Sequence, residues 1–318
     1  KMKNKFLFII SLTLICTQNI FSQNISDNIK GEKYIYEFRD GTTIIGTYDK
    51  TEKGNIYIVD MQGDSVYLPK VMVAQSHKAN ENNIKNGEYW FPNLHPTRYF
   101  FAPSAIGLKQ GEGYFHHLYW MLWQFQYGIS DQLSFGGGTS YFGFPATLNM
   151  KYSGEIIEND LFFSAGWFWV GNLFWGRGNA DERTFINMPY ILATKGTKEN
   201  NFSFGFGYNF ADNWINRRTE FNPITGQMIT QSIDHSERVT VNFGATFRTS
   251  RRFSFIAEGW IFNPKDPTFL GGPGIRYFRK INRVTAKNGA GAKTFDFQIL
   301  MSPEMDGVIP MFGASQKF

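Results

Sequence analysis

Five histidines are the first residues to test for acid–base or metal chemistry: His77, His95, His116, His117 and His235. An imidazole moves protons near neutral pH or ligates a metal, but a site needs partners at a fixed spacing. None of the five stands in an H-E-x-x-H frame or in another spacing with ligand logic. Asp234-His235-Ser236 unites the residue types of a hydrolytic set, yet chain neighbours on a loop rarely share the geometry it requires. His116 and His117 open a strand, where parity turns His116 inward and His117 outward. The single cysteine, Cys16, lies in a segment read below as a removable leader, so thiolate nucleophiles, thiolate metal sites and disulfides are excluded beyond it. No G-x-S-x-G elbow, phosphate loop or dinucleotide fingerprint occurs in its required context. Gly205 and Gly207 sit on one strand face, where small residues suit a crowded interior. This reading therefore assigns no catalytic, cofactor-binding or metal-ligating residue and implies no cofactor.

A second group is more informative. By strand parity Glu258, Arg276 and Asp296 point the same way on three consecutive strands, and Lys151 joins them from a distant one. Such a cluster has two chemistries. It either lines an aqueous path and selects ions, or it pairs internally and closes a narrow barrel, and the second is favoured here. Trp120, Leu118 and Phe168 share the inward parity and fill the same space.

The elements that position these residues begin with a leader. Lys1, Lys3 and Lys5 precede an apolar run from Phe6 to Cys16, and Ser22 offers a small residue at the exit. A basic head, a short apolar core and a small-residue exit are the parts of a secretory signal peptide, expected over 1–22. The run is about half the ~20 residues that a membrane-spanning helix needs. Removing the three leader lysines from the formal +5 leaves +2, no case for nucleic-acid binding. Aromatic residues make up 18% and glycine is abundant, yet no later apolar run could cross a bilayer as a helix.

After a tail at 23–31, residues 32–78 read as a small SH3- or Sm-like β-module, five short strands rich in Tyr, Ile and Val and separated by turn residues. Residues 79–95 are polar and turn-rich and read as a linker. From 96 to 318 alternation becomes systematic. Phe202, Phe204, Phe206, Tyr208 and Phe210 interleave with Ser203, Gly205, Gly207 and Asn209, and Val239–Arg248 repeats the pattern. Twelve segments of this kind can be counted, at 97–108, 114–129, 132–143, 146–157, 160–171, 184–195, 201–211, 238–249, 252–263, 268–279, 293–302 and 308–318. The even number predicts an all-β fold with an antiparallel transmembrane barrel of the outer membrane, in contact with lipid through its apolar face. Short turns at 130–131, 158–159, 196–200 and 250–251 and a long one at 280–292 are expected on the periplasmic side with both termini, and loops at 109–113, 172–183 and 212–237 on the other. Phe318, with Phe312 on the same parity, is expected to serve as the C-terminal signal to the outer-membrane assembly machinery. Arg279, Lys280, Arg283 and Lys287 form a basic patch in the long turn.

The stretches Thr97–Tyr114, Tyr127–Ser134 and Ser250–Phe255 resemble a group of Bacteroidota-type outer-membrane proteins, over most of residues 96–318. That group has no assigned activity, so the resemblance implies fold and compartment and transfers no catalytic residue. The function expected is a non-enzymatic barrel acting as a narrow passive channel for small solutes. The alternative is an anchor whose module docks a periplasmic protein partner. A hydrolase or acyltransferase of the outer membrane is the least favoured.

Overall fold

The computed structural model describes residues 28–39, 42–79, 81–85, 88–119, 121–172, 184–211, 219–222, 227–230, 238–264, 267–280, 292–303 and 307–318. The leader, Trp120, the Asp234-His235-Ser236 triplet and Arg283 and Lys287 of the basic patch lie outside them. The chain divides into two units between Glu88 and Tyr89.

The first unit carries β1 (Lys33–Phe38), β2 (Thr43–Glu52), β3 (Asn55–Asp60), β4 (Ser65–Pro69) and β5 (Val73–Lys78), in the sheet order β4-β3-β2-β1-β5. The β2–β3 hairpin turns at Lys53-Gly54, both with positive φ, which glycine adopts without the steric cost a side chain brings. Alternate residues Tyr34, Tyr36, Ile56 and Ile58 join Leu68 and Val73 in its core. Two short strands follow, β6 (Ile84–Lys85) and β7 (Glu88–Tyr89).

The second unit is a closed antiparallel barrel. Its strands are β8 (Gly113–Leu118), β9 (Leu122–Gly128), β10 (Leu133–Ser140), β11 (Ala146–Ile157), β12 (Leu161–Gly171), β13 (Thr184–Gly196) and β14 (Asn200–Tyr208). A separate hairpin, β15 (Thr219–Asn222) and β16 (Gln227–Thr230), interrupts the series. The barrel resumes with β17 (Val239–Arg248), β18 (Phe253–Phe262), β19 (Thr268–Lys280), β20 (Lys293–Met301) and β21 (Val308–Lys317). Each strand pairs with its sequence neighbour in the barrel, and β21 closes on β8 from Gly313↔Leu118 to Lys317↔Tyr114.

Burial along these strands is inverted relative to a water-soluble sheet. On β14, Phe202, Phe204 and Phe206 are 50%, 42% and 45% exposed, whereas Asn201, Ser203, Gly205 and Gly207 are buried. Strands β18 and β20 repeat it, with Phe253, Phe255, Phe295 and Phe297 outside and Ser254, Glu258, Asp296 and Gln298 inside. An outer wall of phenylalanine rings is stable against acyl chains and costly against water, so the barrel spans a membrane. Among the described residues no helix is long and apolar enough to do so.

The barrel has the expected twelve strands, but two of the expected segments are corrected. Residues 97–108 form no barrel strand. Pro103 removes a ladder donor, and the six buried apolar residues there, Tyr99, Phe100, Ala102, Ala105, Ile106 and Leu108, lack the period of two that a wall strand needs. The segment 114–129 is instead two strands, β8 and β9, which turn back at Tyr119 in the left-handed region (φ 50°) with Met121 N–H donating to Leu118 O at 2.9 Å. Losing one strand and splitting another preserves the even count. Loop 109–113 is also relocated. Gly111 donates to Gly128 O and Gln110 N–H to Asp131, so it lies at the rim of the short turns. The expected linker ends inside the second unit, where Phe91, Asn93 and His95 are buried.

Candidate functional site: the lumen and its plug

The segment from about 89 to 112 occupies the barrel interior. It starts at the short-turn rim, where Asn93 N–H donates to Glu199 at 2.5 Å and its side-chain amide to Lys198 O at 2.9 Å. Between Arg98 and Pro103 it makes a tight knuckle, with Tyr99 N–H on Ala102 O at 2.8 Å and Ser104 N–H on Thr97 O at 3.0 Å. It then returns to the same rim, where Glu112 pairs with Lys317 at 3.2 Å. Irregular backbone at membrane depth must have its polar groups satisfied by protein or water. The wall provides those partners.

Glu258, Arg276, Asp296 and Lys151 all lie on the inner face, buried at 4%, 1%, 2% and 7% exposure. Arg276 donates from Nε and Nη2 to both oxygens of Asp296, at 2.9 and 3.0 Å, and from its guanidinium to His95 O at 2.9 Å and Tyr99 O at 2.5 Å. The Glu258 carboxylate accepts the Phe101 and Ala102 N–H groups at 2.9 and 2.8 Å. Lys151 Nζ donates to the Ser104 and Ile106 carbonyls, both at 2.8 Å. Three of the four residues therefore hold the backbone of the plug directly. Asp296 acts by orienting Arg276 and by pairing with Arg98 of the plug at 3.1 Å. The cluster does not gather as one: Lys151 stands on β11, and its two shorter contacts fall on the return limb of the plug, with a longer one at 3.5 Å to Thr97 O.

Further wall residues in the same task escaped the sequence reading. Thr194 accepts the Ala105 N–H at 2.7 Å, and the Tyr99 hydroxyl meets Asn201 at 2.7 Å and Ser203 at 2.5 Å. Arg248 pairs with Glu199 at 3.2 Å and stacks its guanidinium 3.8 Å from the Phe278 ring centre. Arg248 and Lys317 could have been found by the parity test that found Arg276. Arg98 could not, because the aromatic and small residues around it imitate a wall strand. Wall glycines make room for the plug: a Cβ on Gly244 would overlap the Tyr99 ring.

His116 faces inward as parity predicts and its Nδ1 lies 2.9 Å from Ser315 Oγ. That is the contact of a nucleophile and its base. Here Ser315 also accepts a hydrogen bond from Arg98, both residues are buried, at 1% and 4%, and neither lines the lumen cavity. The pair is a wall contact of the plug. His117 packs against Trp123, with ring centres 5.3 Å apart. Among the described residues no group of three His, Cys, Asp or Glu is placed to hold a metal ion. At the chain end, Phe318 packs on Phe115 at 5.0 Å and Phe312 on Phe297 at 5.1 Å, the latter pair on the lipid side.

Comparison with protein-family models finds no match, and none is found among curated protein sequences. Solved structures of similar shape include the KdgM porin, at a TM-score of 0.39 and 7% identity, covering 65% of this chain and 98% of that one. The NanC porin aligns at 0.39 and 10%, covering 65% and 97%. A loop-deleted OmpT, an outer membrane protein of Vibrio cholerae, aligns at 0.29 and 9% over 90% and 96%.

Proposed function

We propose that this barrel is a narrow passage for small solutes across the outer membrane, held shut in this conformation by its own segment 89–112. The observation that carries this reading is the way the plug is fixed. Its backbone polar groups are held by charged side chains on three separate strands, β11, β18 and β19. Among the described residues its apolar side chains pack on the wall in small separate groups, Tyr99 and Ala102 with Ile256 and Trp260, and Ala105 and Ile106 with Phe162, Leu192 and Tyr190. Polar contacts of this kind exchange with water at a low net cost once water enters, so they suit a closure that opens. A strand barrel with an aromatic outer wall belongs to the outer-membrane class, and the short turns on the rim that carries Asn93 and the end of β21 fit a periplasmic side there.

Planar-bilayer recordings of the refolded full chain test the proposal. The wild type is expected to stay closed with rare openings, and Arg276→Ala to open often. A variant with residues 97–106 replaced by a Gly-Ser linker is expected to conduct steadily. If that linker variant folds, as judged by heat-modifiable migration, and is still silent, the passage reading fails and the barrel is an anchor.

A further inference from the structure

A cavity remains in the lumen beside the plug. Its floor includes Phe101 and Pro103 of the knuckle, and it extends along the wall toward the ends of β12, β14 and β17 that carry the long connections. Its volume open to water is about 90 Å³. One buried water requires ~10–15 Å³, so there is room for roughly half a dozen, about what one sugar ring displaces.

The chemistry of the lining is specific. Among the described residues the charged ones on it are Arg98 and Lys151, and no carboxylate lines it. Both cations are already engaged: Lys151 with plug carbonyls, Arg98 with Asp296, Ser315 and two carbonyls. Its lining includes four amides, Gln124, Gln126, Asn149 and Asn242, and five aromatic rings, among them Phe101, Phe168 and Trp260. The amides are set into the wall by glycine. Gln126 lies over Gly136, Gln124 over Gly138 and Asn242 over Gly205, where any Cβ would displace them. Gln126 donates to Asn149 at 2.6 Å, which orients both amides. Asn242 is 4% exposed, and its Nδ2 has no hydrogen-bond partner. A buried amide donor without a partner is destabilising, and an acceptor on a bound solute would satisfy it once the side chain turns toward the space.

We infer that this cavity is a binding site for a neutral saccharide. Planar amides offer a donor and an acceptor to vicinal hydroxyls, and aromatic faces cover the apolar C–H face of a sugar ring. An acid would find no free cation, and an amine no carboxylate. The inference deepens the passage reading and rests on it for its physiological sense. It is measured by binding at equilibrium, however, which does not depend on conduction.

The test uses the refolded full chain in a detergent without a sugar headgroup, with glucose, glucuronate and glucosamine as probes, read by saturation-transfer NMR and calorimetry. Glucose is expected to bind, with transfer strongest to its ring C–H protons, and the two charged sugars at least about tenfold more weakly. Asn242→Leu and Phe101→Ala are each expected to reduce glucose affinity about tenfold. Phe101→Ala alters only a plug side chain, so it keeps the test valid if the wall variant does not fold. Tighter binding of either charged sugar, no glucose binding, or binding indifferent to Phe101→Ala in a folded protein overturns the inference. A silent recording from the folded linker variant with intact glucose binding to the full chain would sink the passage reading alone.

Discussion

Arg276 shows how much a single side chain does here. Its planar guanidinium makes a bidentate pair with Asp296 and still reaches His95 O and Tyr99 O, a geometry no ammonium group can copy. Removing one partner of a buried pair typically costs ~3–5 kcal/mol, because the other is left uncompensated. Asp296 keeps Arg98, which softens that cost but ties the remaining pair to the plug itself. Arg276→Ala is therefore expected to raise open probability several-fold while leaving the barrel folded. Arg276→Lys should lie between it and the wild type, because charge survives and the fork does not. Single-channel recording alongside heat-modifiable migration distinguishes these outcomes. Equal behaviour of Lys and Ala would mean that geometry is the whole effect, and equal behaviour of Lys and Arg that charge is.

At the scale of the element, plug and wall fit through small residues. Gly244→Val on β17 would drive a side chain into the Tyr99 ring, and Tyr99 would lose its seat near Asn201 and Ser203. The expected outcome is faster proteolysis between 97 and 106 in the intact barrel and more frequent opening; an unchanged cleavage rate would count against the Tyr99 seat as a determinant of closure. The wall itself was legible in the sequence, since Phe and Gly or Ser alternate over Asn201–Tyr208 with a period only a strand provides. The plug was not. Thr97–Leu108 contains enough aromatic and small residues to pass for wall, and only Pro103 argued against it. The β8–β9 turn was hidden for the opposite reason, because Tyr119 and Met121 carry no Gly, Asn or Pro to mark a reversal. Inward charges were legible because parity is local. Their partners were not, because Glu258 and Phe101 are separated by 157 residues.

The molecule as a whole joins two units with different physical footings. The first relies on a small apolar core, and on β5 it buries His77, whose pKa burial pulls down from 6.5 to about 4. Between those values the unfolded chain binds a proton that the folded unit does not. Its stability is therefore fully present above about pH 6.5 and falls as the pH drops toward about 4, by at most ~1.4 kcal/mol per unit. Proteolysis in urea, read at cleavages within 33–78 of the full chain, should show that loss, and His77→Gln should flatten it. A pH-independent wild type would contradict the assignment. The barrel stands on lipid-facing rings and wall charges, and its plug has one further property. The segment goes in past Asn93 and comes back to Glu112 at the same rim, so it is a folded-in loop and is not threaded through the cylinder. Withdrawing it requires no opening of the β21–β8 seam. A pull on the chain ahead of it would load the contacts in series, Asn93 first and Tyr99 later, so a small force acting over a long distance could empty a lumen that resists any single blow.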